Sequence, residues 1–510
     1  MKIIDVKSPE EISKIYFVGI KGVGMVGLAL IAKQAGMDVA GSDVSEEFLT
    51  DKVLTDAGIH VDIGFNETHL EDFLASSKDT LVITTAAHNG LLNPQCEYAK
   101  NHNIQVLTHG QAVGYFMRGE LFKKKFKGIS VLGCHGKTTI SAMVAAALTY
   151  ANLDPTYTVG TSEIFPGMLA GHYGVGAYFA AEADEFVSDT NLDKTVKFLY
   201  QNPEFAIINN IDFDHPDVYK NLKDVIHVFR EFSLENISRN GVLIANGDDS
   251  NLQAILTEVK EKRPDISIIT YGEEKTNNFS IQNYKEEGLG SKFDVYLEGV
   301  FFEQMRLQVP GYYNAKNSLS VVALLHRIGL NSSIIKESVN FFEGTKRRQE
   351  KVGLTSNGAL VIDDYAHHPD EILKTLHAVK SAFPEKKIIA IFQPHTISRT
   401  ESLRSEFAKA FSSAEKAIFL PIFTSKREGE MDYSLLYSKI KESMEIDGLD
   451  VIFMTDTRLK TDQEFSPYFL SSNRVPVVKY LNDHFSSEEF VIVTLGAGDI
   501  YKLAYDLVNQ

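Results

Sequence analysis

The chain has 510 residues, enough for about three domains at roughly 150 residues each. Hydrophobic residues make up 44% and charged residues 23%, a globular balance that excludes long disordered stretches. With 51 basic against 68 acidic side chains, the net charge of −17 argues against nucleic-acid or anionic-lipid partners and serves solubility.

Cys96 and Cys134 lie far apart in sequence and match no metal-ligand spacing, which argues against a disulfide framework and fits a reducing compartment. The start, MKIIDVKSPEEISK, lacks an apolar signal core, and no run reaches the length of a membrane span. A cytoplasmic protein with no membrane insertion is expected.

Short apolar runs alternate with longer amphipathic stretches: IYFVGI (15–20), TLVITTAA (80–87), ISVLG (129–133), FAIINNI (205–211), ALVIDD (359–364), IIAIFQ (388–393), AIFLPIF (417–423) and FVIVTLGA (490–497). Many are apolar at consecutive positions, the pattern of parallel strands covered on both faces, and helix-like segments follow several. The pattern predicts an α/β fold with more than one sheet.

The first run enters FVGIKGVGM (17–25), a glycine turn opening a helix, and GSD (41–43) follows the next strand. The spacing is GxxGxG and not the dinucleotide GxGxxG, yet such a turn at a helix start suits a diphosphate. A boundary near Gly110 closes a first domain, 1–110.

In GCHGKTT (133–139), Gly133, His135 and Gly136 form a turn between strand and helix, followed by Lys137, Thr138 and Thr139. Helix N-termini present unpaired N–H groups, glycines let the backbone approach phosphate, a lysine neutralises it, and a threonine hydroxyl suits Mg²⁺. Val131 stands where the full P-loop pattern has glycine, so the loop is a shortened version. AAEADEF (180–186) brings Glu182, Asp184 and Glu185 to a strand end, where hard oxygen ligands suit Mg²⁺. NNIDFDHPD (209–217) sets His215 among three aspartates, a setting that suits a ligand to a second metal ion or a proton holder.

A polar, β-like insertion covers roughly 265–310. In PGYYNAKN (310–317), Asn314 and Asn317 lie at helical spacing and suit an adenine edge, with a cap and a surface amide as the plainer alternative. The second domain then runs over 111–345 and the third over 346–510. KRRQE (346–350) opens the third, and DDYAHHPDE (363–371) and FQPHTISRT (392–400) follow successive strands, carrying Asp363, His367, His368, His395 and Arg399. Their shared position at strand ends predicts one site, with arginine facing a carboxylate or phosphate. Residues 456–482 are weakly periodic and read as an insertion, and GAGDI (496–500) is a third glycine turn.

In this order the motifs resemble the Mur ligases, from about residue 14 to 505, and within them the branch that joins L-alanine to UDP-N-acetylmuramate, in its Gram-positive form. The resemblance implies a Rossmann-like UDP-binding domain, a central P-loop ATPase domain and a Rossmann-like C-terminal domain for the amino acid. It implies ATP and Mg²⁺, with Lys137 on the γ-phosphate, Thr138, Glu182 and His215 on the metal, and Asn314 and Asn317 on adenine. Gly19, Gly22, Gly24, Ser42 and Asp43 would hold the sugar nucleotide. Arg348 and Asp363 would reach ATP, and His367, His368, His395 and Arg399 would lie near the amino acid, with a histidine as base. Cys134 and Gln349 depart from the family's usual residues. Rival readings are a ligase that reattaches a recycled tripeptide, a nicotinamide oxidoreductase, which leaves GCHGKTT unexplained, and a non-catalytic nucleotide-binding regulator.

Overall fold

The computed structural model describes residues 12–74, 79–213, 218–423, 438, 450–453 and 474–509. Its contacts gather into two compact units. One runs to residue 284 and adds 292–307 and 313–343; the other holds 285–291, 308–312 and 344 onward.

The first unit opens with a parallel sheet of order β3-β2-β1-β4-β5: β1 (Lys14–Val18), β2 (Asp38–Asp43), β3 (His60–Ile63), β4 (Thr80–Thr84) and β5 (Gln105–Thr108). Its helices are α1 (Val23–Gln34), α2 (Asp51–Asp56), α3 (Glu67–Leu74), α4 (Pro94–Asn101) and α5 (His109–Arg118). Strand β1 shows why its sequence is apolar without a break. Ile15 and Phe17 enter a cluster with α1 and α5, while Tyr16 and Val18 enter another with Leu70 of α3 and Ala99 of α4. Each such burial is worth about 1.5–3 kcal/mol.

A second sheet in the same unit has the parallel order β12-β11-β10-β6-β9-β7. Its strands are β6 (Lys127–Leu132), β7 (Thr156–Phe165), β8 (Met168–His172), β9 (Tyr178–Glu182), β10 (Phe205–Ile208), β11 (Val242–Asn246) and β12 (Ser267–Gly272), with β8 antiparallel on β7. Helices α6 (Lys137–Tyr150), α7 (Leu222–Glu235), α8 (Ser250–Lys262), α9 (Tyr312–Arg327) and α10 (Ser332–Asn340) accompany it. The stretch read as an insertion from about 265 begins with β12, which pairs in parallel with β11 and so completes the main sheet. Only β13 (Phe279–Glu287), β14 (Gly290–Leu297) and β15 (Val300–Leu307) are added beyond it.

Strand β6 lies between β9 and β10, so its C-terminal end is flanked by both of theirs, the usual place for a ligand in an open α/β sheet.

The first sheet is joined to the second through backbone contact. A Cβ on Gly27 of α1 would meet Thr158 Oγ1 at 2.3 Å, and one on Gly171 of β8 would meet the Gly27 carbonyl oxygen at 2.2 Å. The Tyr173 N–H donates to Gln34 Oε1 at 2.8 Å beside them.

The second unit contains β16 (Gly344–Thr345), β17 (Glu350–Leu354), β18 (Leu360–Asp364), β19 (Lys387–Phe392), β20 (Lys416–Phe419), β21 (Asp450–Phe453) and β22 (Phe490–Leu495). Its sheet has the order β17-β18-β22-β19-β20-β21, antiparallel only at β17. Helices α11 (Pro369–Ala382), α12 (Ile397–Ser402) and α13 (Arg404–Ala410) lead along the chain to α14 (Val475–Phe485) and α15 (Tyr501–Val508). Ile372 and Leu376 of α11 and Phe407 of α13 pack on one face of the sheet; Val478 and Leu481 of α14 and Leu503 of α15 pack on the other. Of the late stretch 456–482, residues 475–482 open α14 and those up to 473 lie outside the described residues. No helix among the described residues is long and apolar enough to cross a membrane.

Gly171→Ala should lower stability by about 1–3 kcal/mol through overpacking against the Gly27 backbone, measured as a shift of the thermal midpoint. A neutral result would mean that α1 and β8 can part without cost.

Candidate active site

The first glycine turn follows β1. Gly19 has φ +82, and a Cβ there would meet Thr85 Cγ2 at 2.4 Å, so glycine alone fits. Gly22 is the N-cap of α1 and Gly24 lies in its first turn. Asp43, at the end of β2, is buried and shapes the turn from below: Oδ2 accepts from the Lys21 N–H at 2.7 Å and Oδ1 from the Val44 N–H at 2.8 Å. Burial raises its pKa against those hydrogen bonds. The Ser42 hydroxyl donates to Gln95 Oε1 at 2.5 Å. Both polar side chains are thus engaged with the protein itself.

The second turn carries the phosphate-loop motif. Gly133 has φ +142 and Gly136, the N-cap of α6, has φ +82. Lys137 and Thr138 open the helix, and its first turn holds no acid. Asn317 of α9 sits against this loop: a Cβ on Gly136 would meet its Nδ2 at 3.1 Å. Asn314 is half-buried on the same helix. Cys134 is buried, with its Sγ 3.1 Å from the Asp212 carbonyl oxygen, in the space-filling role open to a small side chain.

Strand β9 brings the acids. Glu182 Oε1 accepts from the Thr138 hydroxyl at 3.0 Å, and Oε2 accepts from the Gly160 N–H at 2.9 Å. Burial raises its pKa against the pull of Lys137. The Lys137 ammonium lies 2.7 Å from Glu185 Oε2 and donates to the Cys134 carbonyl at 3.2 Å. Burial opposes its charge, but Glu185 and Asp184 outweigh burial and hold its pKa above the ordinary lysine value. Asp184 itself pairs with Lys197 at 2.6 Å. A carboxylate and a hydroxyl side by side offer hard oxygens that fit a small divalent cation sharing its other positions with phosphate. Among the described residues no three His, Cys, Asp or Glu side chains converge. His215 and the rest of 214–217 lie outside the described residues.

In the second unit, β18, β22 and β19 end at one level, with Asp364 and Phe392 both in register with Leu495. The cationic triplet splits into different tasks. Arg347 is buried, its Nε donating to Asp363 Oδ2 at 3.1 Å, Nη2 to the Gly496 carbonyl at 2.5 Å and Nη1 to the Gly498 carbonyl at 3.0 Å. The Thr494 hydroxyl donates to Asp363 Oδ1 at 2.6 Å, so both oxygens of Asp363 are engaged inside the unit. Arg348 is half-buried, 5.2 Å from the Tyr365 ring centre. His367 and His395 lie with ring centres 6.1 Å apart, and His395 stacks on Phe423. His368 is the N-cap of α11, its Nδ1 accepting from the Asp370 N–H at 3.3 Å. Arg399 is half-buried in α12.

Sequence reasoning passed over Arg347, which nothing in KRRQE distinguishes from Arg348. It also passed over His109, the first residue of α5. That imidazole lies against the first glycine turn, where a Cβ on Gly24 would meet its Nε2 at 2.9 Å. Burial and then Lys197 push its pKa down to about 4, so it is neutral at ordinary pH.

Three stretches match Mur ligase domains in turn: residues 14–120 the Mur ligase family catalytic domain, 131–325 the Mur ligase middle domain and 347–463 the Mur ligase glutamate ligase domain. A UDP-N-acetylmuramate–L-alanine ligase from Desulfitobacterium hafniense is 35% identical over 97% of this chain and 99% of its own. Another, from Caldanaerobacter subterraneus, is 34% identical over 98% of each. Among solved structures, a UDP-N-acetylmuramate–alanine ligase from Thermotoga maritima matches with a TM-score of 0.74 at 27% identity, covering 97% of this chain and 98% of that one.

Burial pushes the Asp364 carboxyl up to about 6, despite the attraction of Arg348. An unfolded aspartate titrates near about 4, so between those values the folded chain holds a proton that the unfolded chain has lost. Stability should therefore fall through that window as pH rises, by about 2–3 kcal/mol from this group. Asp364→Asn should remove that part of the slope in urea unfolding of the second unit; equal slopes in parent and variant would count against it.

Proposed function

The chain belongs to the Mur ligase family, and we propose that it is the ATP-dependent ligase that joins L-alanine to UDP-N-acetylmuramate in peptidoglycan precursor synthesis. The observation that carries this reading is a charged Lys137, paired with Glu185, beside the Thr138–Glu182 couple at the ends of adjacent strands β6 and β9. A nicotinamide oxidoreductase has no use for that arrangement, and a regulator that only binds nucleotide does not need all of it.

The chain divides by task into 1–110 for the sugar nucleotide, 111–345 for ATP and 346–510 for the amino acid. Gly19, Gly22 and Gly24 supply the turn for the uridine diphosphate, with Ser42 and Asp43 supporting it. Gly133, His135, Gly136, Lys137, Thr138 and Thr139 cradle the triphosphate, while Asn314 and Asn317 serve the adenine side. Thr138, Glu182 and His215 would hold Mg²⁺, which would lower the charge on the phosphate oxygens. Arg348 serves the nucleotide from the third part, and Asp363, whose two oxygens are taken by Arg347 and Thr494, supports that site from within. His367, His368, His395 and Arg399 serve the incoming amino acid, Arg399 through its carboxylate. The protein acts in the cytoplasm.

Chemically, a carboxylate oxygen of the muramate attacks the γ-phosphorus, the bond to ADP breaks, and an acyl phosphate results. The neutral amine of L-alanine then attacks the acyl carbon, phosphate departs with the C–O electron pair, and the amine gives up a proton. Lys137 opposes the charge that builds on the transferred group, so the first step rests on positioning and electrostatics. A histidine of the strand-end set takes the amine proton in the second.

Phosphate release from ATP should require both UDP-N-acetylmuramate and L-alanine, and Lys137→Ala should cut it by at least about a hundredfold. Release with UDP-N-acetylmuramate and the free tripeptide, but not with L-alanine, would assign the chain to the recycling branch. No release with any acceptor would overturn the reaction.

A further inference from the structure

The phosphate loop is gripped from behind by a set of buried amides that the reaction itself does not use. At the end of β10, Asn210 closes on one residue of the loop: the His135 N–H donates to Asn210 Oδ1 at 2.8 Å, and Asn210 Nδ2 donates to the His135 carbonyl at 2.9 Å. Asn209, next to it, donates through Nδ2 to the same carbonyl at 3.0 Å and to Asn317 Oδ1 at 3.1 Å. Its Oδ1 accepts from the Tyr271 hydroxyl at 2.7 Å. Tyr271 stands at the end of β12, two strands from β10, and is fully buried.

The geometry leaves Asn209 little freedom. Its nitrogen faces the His135 carbonyl and Asn317 Oδ1, so a flipped amide would set oxygen against oxygen there. Its Nδ2 also lies 2.8 Å from where a Cβ on Gly136 would be, directly under the left-handed N-cap of α6. A displaced Asn209 would therefore shift the Gly136 peptide and, with it, the first N–H groups of α6. Those groups and Lys137 begin at the next residue.

We propose that Asn209 and Tyr271 are positioning residues for the phosphate loop, fixing the His135–Gly136 backbone for a nucleoside triphosphate. The proposal rests on the ATP-binding role given to the loop above, and it adds two residues outside the loop that determine how tightly nucleotide is held. Neither side chain touches the reacting groups.

The test is calorimetric binding of ADP and, separately, of UDP-N-acetylmuramate to the full chain and to the variants Tyr271→Phe and Asn209→Asp. Phenylalanine keeps the ring and removes one hydroxyl. Aspartate keeps the acceptor for Tyr271 and replaces the donor that faces His135 and Asn317. ADP affinity should fall about fivefold to tenfold in Tyr271→Phe, the size expected of one buried hydrogen bond, and further in Asn209→Asp. Affinity for the sugar nucleotide should stay at the parent value. Tyr115→Phe, which removes another buried phenol hydroxyl far along the sequence in α5, should change neither. Parent-like ADP affinity in both variants would overturn the proposal. So would parallel loss of both ligands with a lowered thermal midpoint, since that reports general damage. A parent chain that binds ADP but releases no phosphate with any acceptor would sink the proposed reaction and leave this test intact.

Discussion

An ammonium group largely withdrawn from water has to be balanced, and the site in the first unit is organised by that need. Lys137 heads α6, where the helix dipole is already positive and no acid lies in the first turn. Its charge survives burial because β9 ends beside β6 and brings Glu185 and its neighbours within reach. The order of strands in the sheet is therefore an electrostatic requirement as much as a packing one. Were β9 not adjacent to β6, the lysine would face desolvation with no anion to offset it.

The second unit solves a related problem with the charges reversed. Asp363 is wholly buried, and Arg347 and Thr494 between them occupy its two oxygens. The same guanidinium gathers carbonyls of the GAGD turn and lies between the rings of Tyr365 and Tyr501. One arginine thus ties the strand end that carries the histidines to the glycine turn that follows β22. Losing it would strand an acid in the core, a heavier penalty than loss of a surface pair.

Much of this was legible before any coordinates. Apolar runs without alternation gave the parallel strands, because β1 and its counterparts are covered on both faces. The loop GCHGKTT was readable because phosphate binding demands glycines, a lysine and a hydroxyl within a few residues. What the chain order hid were partners set by sheet order. Glu185 stood in a recognised acidic run, but its pairing with Lys137 depends on β9 lying beside β6. Tyr271 is remote from the loop in sequence and arrives through β12, in a stretch whose polarity read as an insertion. Arg347 and Arg348 are alike in composition and differ only in which way the backbone turns at φ +60 on the former.

The contact of Gly27 with Gly171 has a consequence for how the protein can be divided. Glycine against glycine leaves no side chain to remodel, so the two sheets of the first unit share a seam whose fit lies in the main chain. A fragment ending near residue 110 would lose most of α5, which covers Ile15 and Phe17, and would bare the flank of α1 that β7 and β8 cover. Such a fragment would be prone to self-association, because α1 is buried and apolar from Met25 to Ala32. Work that needs the first sheet without the second unit would do better to cut after residue 343, where the first compact unit ends.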